Sequence, residues 1–188
     1  MSSHHIVREN QEPALVVESV TDLDKEYVGQ LLEWCPTVFT NDYTIDFFLA
    51  DDIKVDVVVT NQCNNLYIQE QIKKIPLQRG FIADALQYLV VNNYKAVNII
   101  CDEIPDAVFS YCNKINIVLF FGGKRYVFVE REYKKWKQKG EKIFVREDRL
   151  KSLVGIQKVS INTFITEQDG FIYLAFNTPE FVWIGEEI

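Results

Sequence analysis

Apolar residues follow two kinds of pattern along this 188-residue chain, and the change falls at one glycine pair. In the first part they come as short unbroken runs: "PALVVES" (13–19), "TVF" (37–39), "KVDVVV" (54–59), "AVNIIC" (96–101) and "INIVLFF" (115–121). Continuous Val/Ile-rich runs predict strands buried on both faces. Helical spacing appears between them. Tyr27, Val28, Leu31, Leu32 and Cys35 form one stripe, opened by Thr21 and Asp24 in a capping-box pattern and ended by Pro36. Ile45, Phe48 and Leu49 mark a short second helix. Ile82, Ala85, Leu86, Leu89 and Val90 mark a third, which ends at Asn92 and Asn93. "PDAVFSYCNK" reads as one more short helix. Alternation of strand and helix predicts a parallel sheet covered on both faces.

After Phe121 the texture changes. Gly122 and Gly123 separate two apolar runs, a hairpin signal. "KRYVFVE", "EKIFVRE", "KVSINTFI", "GFIYLAF" and "EFVWIGE" follow as short, partly alternating strands, with a second turn at Asp169 and Gly170. "REYKKWKQKGEK" (131–142) is a stretch that attracts phosphate or, as is commoner in an acidic protein, a solvated strand and turn. The predicted fold class is α/β. A Rossmann-like, three-layer parallel-sheet domain over 1–121 is followed by a small antiparallel β-sandwich domain over 122–188.

Composition narrows the function. A net charge of −7 gives no basic face for a nucleic-acid backbone. No apolar run reaches the ~18 residues of a membrane span, and "MSSHHIVREN" has no apolar leader, so a cytoplasmic protein is expected. Cys35, Cys63, Cys101 and Cys112 lack CxxC spacing and fit reduced thiols better than disulfides or a zinc site. His4 and His5 are the only histidines, and both lie in the N-terminal tail, so no histidine is expected to serve as acid or base within the fold.

In a parallel sheet, ligands bind at the carboxyl ends of the strands. Loops 40–44, 60–65 and 101–106 are therefore the places to look. "IKVDVVVTNQCNN" (53–65) runs from a buried strand into one of them, and it offers amides and a thiol there.

The order of elements resembles the thiamine pyrophosphokinase family across nearly the whole chain. "MSSHHIVRENQEPALVVE" and "GQLLEWCPTVFTND" look like the opening of its Bacteroidetes-type members. "IKVDVVVTN" sits where the family has Gly-Ile-x-Pro-Asp-x-x-x-Gly-Asp. "INIVLFFGGKRYVFVEREYKKWKQKGEKI" looks like its passage into the β domain. The resemblance implies transfer of a diphosphoryl group from ATP to thiamine, with Mg²⁺ held by aspartates. At the chemistry this chain departs from the pattern. The family's Gly-Asp-x-Asp-Ser falls on Thr60, Asn61, Gln62, Cys63 and Asn64. An amide is a poor ligand for Mg²⁺ and a thiol a mismatched one. Its Thr-Asp-x-x-Lys-Ala falls on "GFIADAL", with Phe81 and Asp84 in those places. Its Arg-x-Asp-His segment is replaced by "CDEIPDAVF". One acidic position is kept: Asp42, where the family has Asp-Gly-Ala.

Each singled-out residue also has a plainer reading. Asp42 is a ligand contact or the cap of the helix it precedes. Asn61 and Asn64 hydrogen-bond a ligand or are ordinary loop residues. Cys63 has no neighbouring His or Lys and reads as inert. Asp102, Glu103 and Asp106 form a local metal cluster or serve turns and caps. Tyr173 and Trp183 are core or dimer surface. The expected protein has no catalytic residue and no metal ligand, with Asp42, Asn61, Asn64 and Asp102 as ligand-binding candidates. No cofactor is expected, and Mg²⁺ and ATP enter only if the chain is an active diphosphokinase. Three functions stay open: a catalytically silent relative that binds a thiamine-like or nucleotide ligand, an active enzyme with carboxylates from elsewhere, and a structural or interaction protein. The family's pairing implies a homodimer through the β domain.

Overall fold

The computed structural model describes residues 12–21, 25–62 and 71–188. The chain divides into two compact units, Met1–Ile117 and Val118–Ile188. It is mostly β, with few and short helices among the described residues.

The first unit holds five strands: β1 (Ala14–Val17), β2 (Val38–Asn41), β3 (Val57–Thr60), β4 (Lys73–Pro76) and β5 (Ala96–Ile100). They lie in the order β5-β1-β2-β3-β4, and every pair is parallel. β1 is paired on both sides and all four of its residues are fully buried. Its continuous apolar run has no solvent face to reserve for polar side chains. β3 begins later than the run "KVDVVV" predicts, because Asp56 turns its carboxylate back to accept the Val38 amide at 3.0 Å. β4 has no apolar run at all. It is an edge strand, largely exposed, and its lysines and Pro76 suit an edge that must not recruit another chain.

The helices are α1 (Lys25–Leu32), α2 (Ile45–Ala50) and α3 (Phe81–Val91). α1 stops three residues short of the predicted stripe. Cys35 is left-handed (φ 49°) and its amide bonds the Leu32 carbonyl, so the chain has already turned before Pro36. On α3 the predicted stripe is buried at Ile82, Ala85, Leu86 and Leu89. The fourth expected helix is a single 3-10 turn, Asp106–Ser110.

The second unit is antiparallel. β6 (Asn116–Phe121) meets β7 (Lys124–Val129) across Gly122 and Gly123, whose φ angles of 56° and 65° are what a type I′ turn requires. β8 (Glu132–Lys137), β9 (Lys142–Val145), β10 (Leu150–Val154), β11 (Ile156–Ser160), β12 (Thr163–Thr166), β13 (Gly170–Phe176) and β14 (Val182–Glu187) follow. One sheet runs β11-β12-β9-β14-β7-β6 and a second runs β10-β13-β8. The run "KVSINTFI" splits into two strands, β11 and β12, because Asn162 takes a left-handed turn (φ 56°). β10 was invisible as a pattern, since four of its five residues are exposed. Ile143, Val145, Ile172, Leu174, Val182 and Ile184, from both sheets, share one core cluster.

At one end of that core the packing turns ionic. Glu186 is 5 % exposed. It accepts the Tyr133 hydroxyl at 2.5 Å and the Lys135 ammonium at 2.8 and 2.7 Å, and Lys137 lies 3.3 Å away. Burial would raise its carboxyl, but the bonds from Lys135 and Tyr133 and the charge of Lys137 outweigh that and hold it below the usual range. Burial and the same carboxylate push the Tyr133 hydroxyl up.

Gly185 on β14 lies opposite Tyr126 on β7. A Cβ at Gly185 would stand 2.7 Å from the Tyr126 ring and 3.0 Å from the Phe144 Cβ. The ring is held in turn by stacking on Phe121 (4.3 Å) and an edge contact with Trp183 (5.7 Å). Gly185→Ala is therefore expected to lower stability by about 1–3 kcal/mol, the usual range for overpacking. Urea denaturation checks it, and an unchanged midpoint would show that Tyr126 moves aside freely.

Candidate ligand site at the carboxyl edge

Strands β1, β2, β3 and β5 end at Val17, Asn41, Thr60 and Ile100, and the chain leaves each end through a short polar segment. Asn41 organises two of them. Its side-chain oxygen accepts the amides of Tyr43 (2.8 Å) and Thr44 (2.9 Å), and its side-chain nitrogen donates to the Glu18 carbonyl at 2.9 Å. Thr44 adds a bond from its hydroxyl to the Val17 carbonyl at 3.0 Å. The exit of β1 is thus tied to the exit of β2 and to the start of α2. Tyr43 is left at the rim, 92 % exposed.

Asp42 is not the cap of α2, as its position suggested. The residue before that helix is Thr44, which makes no side-chain cap bond, and the turn is held by Asn41. Asn41 makes an Asx-type turn on the amides of Tyr43 and Thr44, ahead of the helix. The Asp42 carboxylate instead accepts the Thr60 hydroxyl at 2.8 Å, and that hydroxyl accepts the Gln62 amide at 2.9 Å. Asn61 and Gln62 are exposed. Asn64 and Cys63 lie outside the described residues, as do His4 and His5.

At the neighbouring strand ends, the Glu18 amide bonds the Ile100 carbonyl at 2.9 Å. Burial raises the Glu18 carboxyl, and the negative charges of Asp102 and Glu103 raise it further. So Asp102 is brought electrostatically to Glu18, but it remains exposed. Cys101 is buried, and burial together with the charge of Glu18 pushes its thiol up to about 12, which leaves it unreactive near neutrality. Asp106 opens the 3-10 turn. Among the described residues no group of three or more His, Cys, Asp or Glu is arranged to hold a metal ion. The described segments 18–21, 41–44, 61–62 and 101–106 carry Glu18, Asp42, Asp102, Glu103 and Asp106, with no Lys or Arg.

Sequence reasoning missed the role of Asp84. It is buried in the first turns of α3 and accepts the amides of Gln78 (2.7 Å) and Arg79 (2.9 Å), plus the Arg79 guanidinium at 3.1 Å. Burial opposes ionisation, yet those bonds win and hold its carboxyl below the usual range. It folds the segment entering α3 and engages Arg79, the cation next to β4. A separate open cavity of about 310 Å³, lined by Leu32, Cys35, Pro36, Val38, Ile53, Lys54 and Asp56, lies where β2 and β3 begin, at the other end of those strands. No helix among the described residues is long and apolar enough to cross a membrane.

No family model matches the sequence, and no curated protein matches it. Solved structures do resemble it. Thiamin pyrophosphokinase from Candida albicans superposes with a TM-score of 0.63 at 10% identity, over 94% of this chain and 90% of that one. A probable thiamine pyrophosphokinase from Staphylococcus saprophyticus gives 0.60 at 11% identity, over 93% and 98%. Thiamine pyrophosphokinase from Bacillus subtilis gives 0.55 at 13% identity, again over 93% and 98%. Parallel pairing before Gly122, antiparallel pairing after it and these superpositions together give the chain a thiamin pyrophosphokinase-like fold.

Proposed function

We propose that the chain is a thiamin pyrophosphokinase-like binding protein that takes a thiamine-like cation at the carboxyl edge of its parallel sheet and transfers no diphosphoryl group. In finer terms, the first unit is read as Rossmann-like and the second as a β-sandwich. The observation that carries the proposal is the charge of the edge. Its described segments hold five carboxylates and no Lys or Arg, and Arg79, which follows the carboxyl end of β4, is already bonded to Asp84. Diphosphoryl transfer works by neutralising a polyphosphate with cations and metal. Carboxylates serve that reaction only where they hold a metal together, and no three of the described ones are so arranged; unbridged, they repel a polyphosphate and attract a thiazolium ring. The exposed ring of Tyr43 suits the same ligand, because aromatic faces attract organic cations.

A thermal-shift panel of thiamine, thiamine diphosphate, ATP and Mg²⁺ tests it. Thiamine at ~100 times its Kd is expected to stabilise the protein by ~2.7 kcal/mol, and ATP with Mg²⁺ to leave it unchanged. Stabilisation by ATP with Mg²⁺ but not by thiamine would reverse the assignment.

We propose in addition that two copies pair through the second unit. β8 and β13 place Trp136 directly beside Phe171, and these rings are 50 % and 64 % exposed. Adjacent exposed aromatics usually mark an interface, and a two-fold dimer is its commonest form. Light scattering is expected to give about twice the 21.9 kDa chain mass, and Phe171→Asp to return it to one. A wild-type monomer at micromolar concentration contradicts the pairing.

A further inference from the structure

We propose that the open cavity where β2 and β3 begin is a second ligand site, which takes a small uncharged aliphatic molecule carrying one hydrogen-bond acceptor. It stands at the other end of those strands and does not depend on a ligand at the carboxyl edge. The cavity measures about 310 Å³. That is roughly twice the ~150 Å³ that holds a benzene-sized molecule, and it falls at the low end of small-molecule sites. Three pieces of chain build it: the end of α1, the start of β2 and the segment between α2 and β3. Each is fixed by main-chain bonds. The Cys35 amide closes onto the Leu32 carbonyl at 2.9 Å, and the Ile53 amide closes onto the Phe48 carbonyl at 2.9 Å. Asp56 and Val38 bond each other twice. The Asp56 amide donates to the Val38 carbonyl at 3.1 Å, and the Val38 amide donates to the Asp56 carboxylate at 3.0 Å. Pro36 adds a locked φ. The walls are therefore set by the backbone, and the space exists before any ligand arrives.

The lining selects the class of ligand. Leu32, Pro36, Val38 and Ile53 give aliphatic walls, and no aromatic ring is among the lining residues. A flat aromatic ligand finds nothing to stack on. The two charged side chains of the lining, Lys54 and Asp56, already pair with each other at 2.5 Å. The bond from Asp56 holds the Lys54 ammonium above its usual range, so the pair stays ionised near neutrality. A ligand ion of either sign would meet its own charge in that pair at short range. Asp56 is engaged at both oxygens, Oδ1 by Lys54 and Oδ2 by the Val38 amide. An ammonium carries three donors and no acceptor, and the Lys54 head is largely exposed. The rim therefore offers donors, and the polar group that fits it is an acceptor without charge, such as a carbonyl oxygen.

The test uses the full chain and cyclohexanone as probe, at concentrations on the order of 10 mM because so few atoms bind weakly. Cyclohexanecarboxylate and cyclohexylammonium serve as charged counterparts with the same ring. Cyclohexanone is expected to shift the methyl NMR signals of Leu32, Val38 and Ile53. It is also expected to shield Cys35, an exposed thiol that lines the cavity. Alkylation of Cys35, followed by peptide mass spectrometry, should slow about fivefold at roughly four times the probe's Kd. Lys54→Met keeps the stem, removes the donors and is expected to weaken binding about threefold, the loss of one ordinary hydrogen bond. Leu32→Trp fills the space from the end of α1 and is expected to abolish binding. Unmoved methyl signals in the wild type would sink the inference, whether or not Leu32→Trp folds. Equal or tighter binding of either charged counterpart would overturn the choice of an uncharged ligand. Normal affinity in Lys54→Met would overturn the acceptor, and normal affinity in a folded Leu32→Trp would place the probe elsewhere.

Discussion

The two ends of the Asn41 side-chain amide hold the carboxyl edge together. One end takes the backbone of the turn into α2, and the other takes the backbone leaving β1. Each bond joins a neutral side chain to a main-chain group that has no partner in the sheet. Such groups must be satisfied when they are removed from water. β1 is the fixed reference for this arrangement, since it is wholly buried and paired on both sides. With the ends of β1 and β2 in register, Asp42 falls within reach of Thr60, and Glu18 within the field of Asp102 and Glu103. Loss of the Asn41 amide would free both loops and scatter the carboxylates that define the edge.

The second unit rests on a different constraint. Its two sheets share an apolar core, but Glu186 on one sheet is reached by Tyr133, Lys135 and Lys137 on the other. A buried carboxylate is costly by itself, and its partners mainly cancel that cost. What the cluster gives is selectivity of pairing. Any slip of β8 by one residue would leave Glu186 facing Lys134 and Trp136 and would drive Lys135 to the outside, because strand side chains alternate between faces. The same alternation sends Ile172, Leu174 and Phe176 inward and leaves Phe171 outside.

Much of this architecture was legible in the chain. Unbroken runs such as "ALVV" and "VVVT" announced strands with no solvent face, and the paired glycines at 122–123 announced the turn that opens the antiparallel part. Edge strands were not legible. β4 and β10 are exposed, so no burial is written into them. The site was legible only in outline. Asp42 drew notice as a carboxylate before a helix, but a sequence does not say that Asn41, one residue earlier, holds the turn into it. Thr60 read as the first residue of a loop, one past the strand run 54–59, and Asp84 only as a place where a resembled motif departs. Their roles come from partners that are distant in the chain or that turn back on it: Asp42 lies 18 residues before Thr60, and the Gln78 amide lies 6 before Asp84.

The fold resembles that of solved thiamin pyrophosphokinases, yet among the described residues no three carboxylates of the edge are arranged to hold a metal ion. Charge neutralisation is the main term in diphosphoryl transfer, and the proposed function is a shared scaffold without that reaction. The most direct measurement of this claim is AMP release by the purified full-length protein with thiamine, ATP and Mg²⁺ at saturating concentrations. The account predicts no AMP above the protein-free blank. Turnover of about 1 s⁻¹, the low end of ordinary enzymes, that is lost on removing thiamine would contradict it and would place the metal-binding carboxylates elsewhere in the chain.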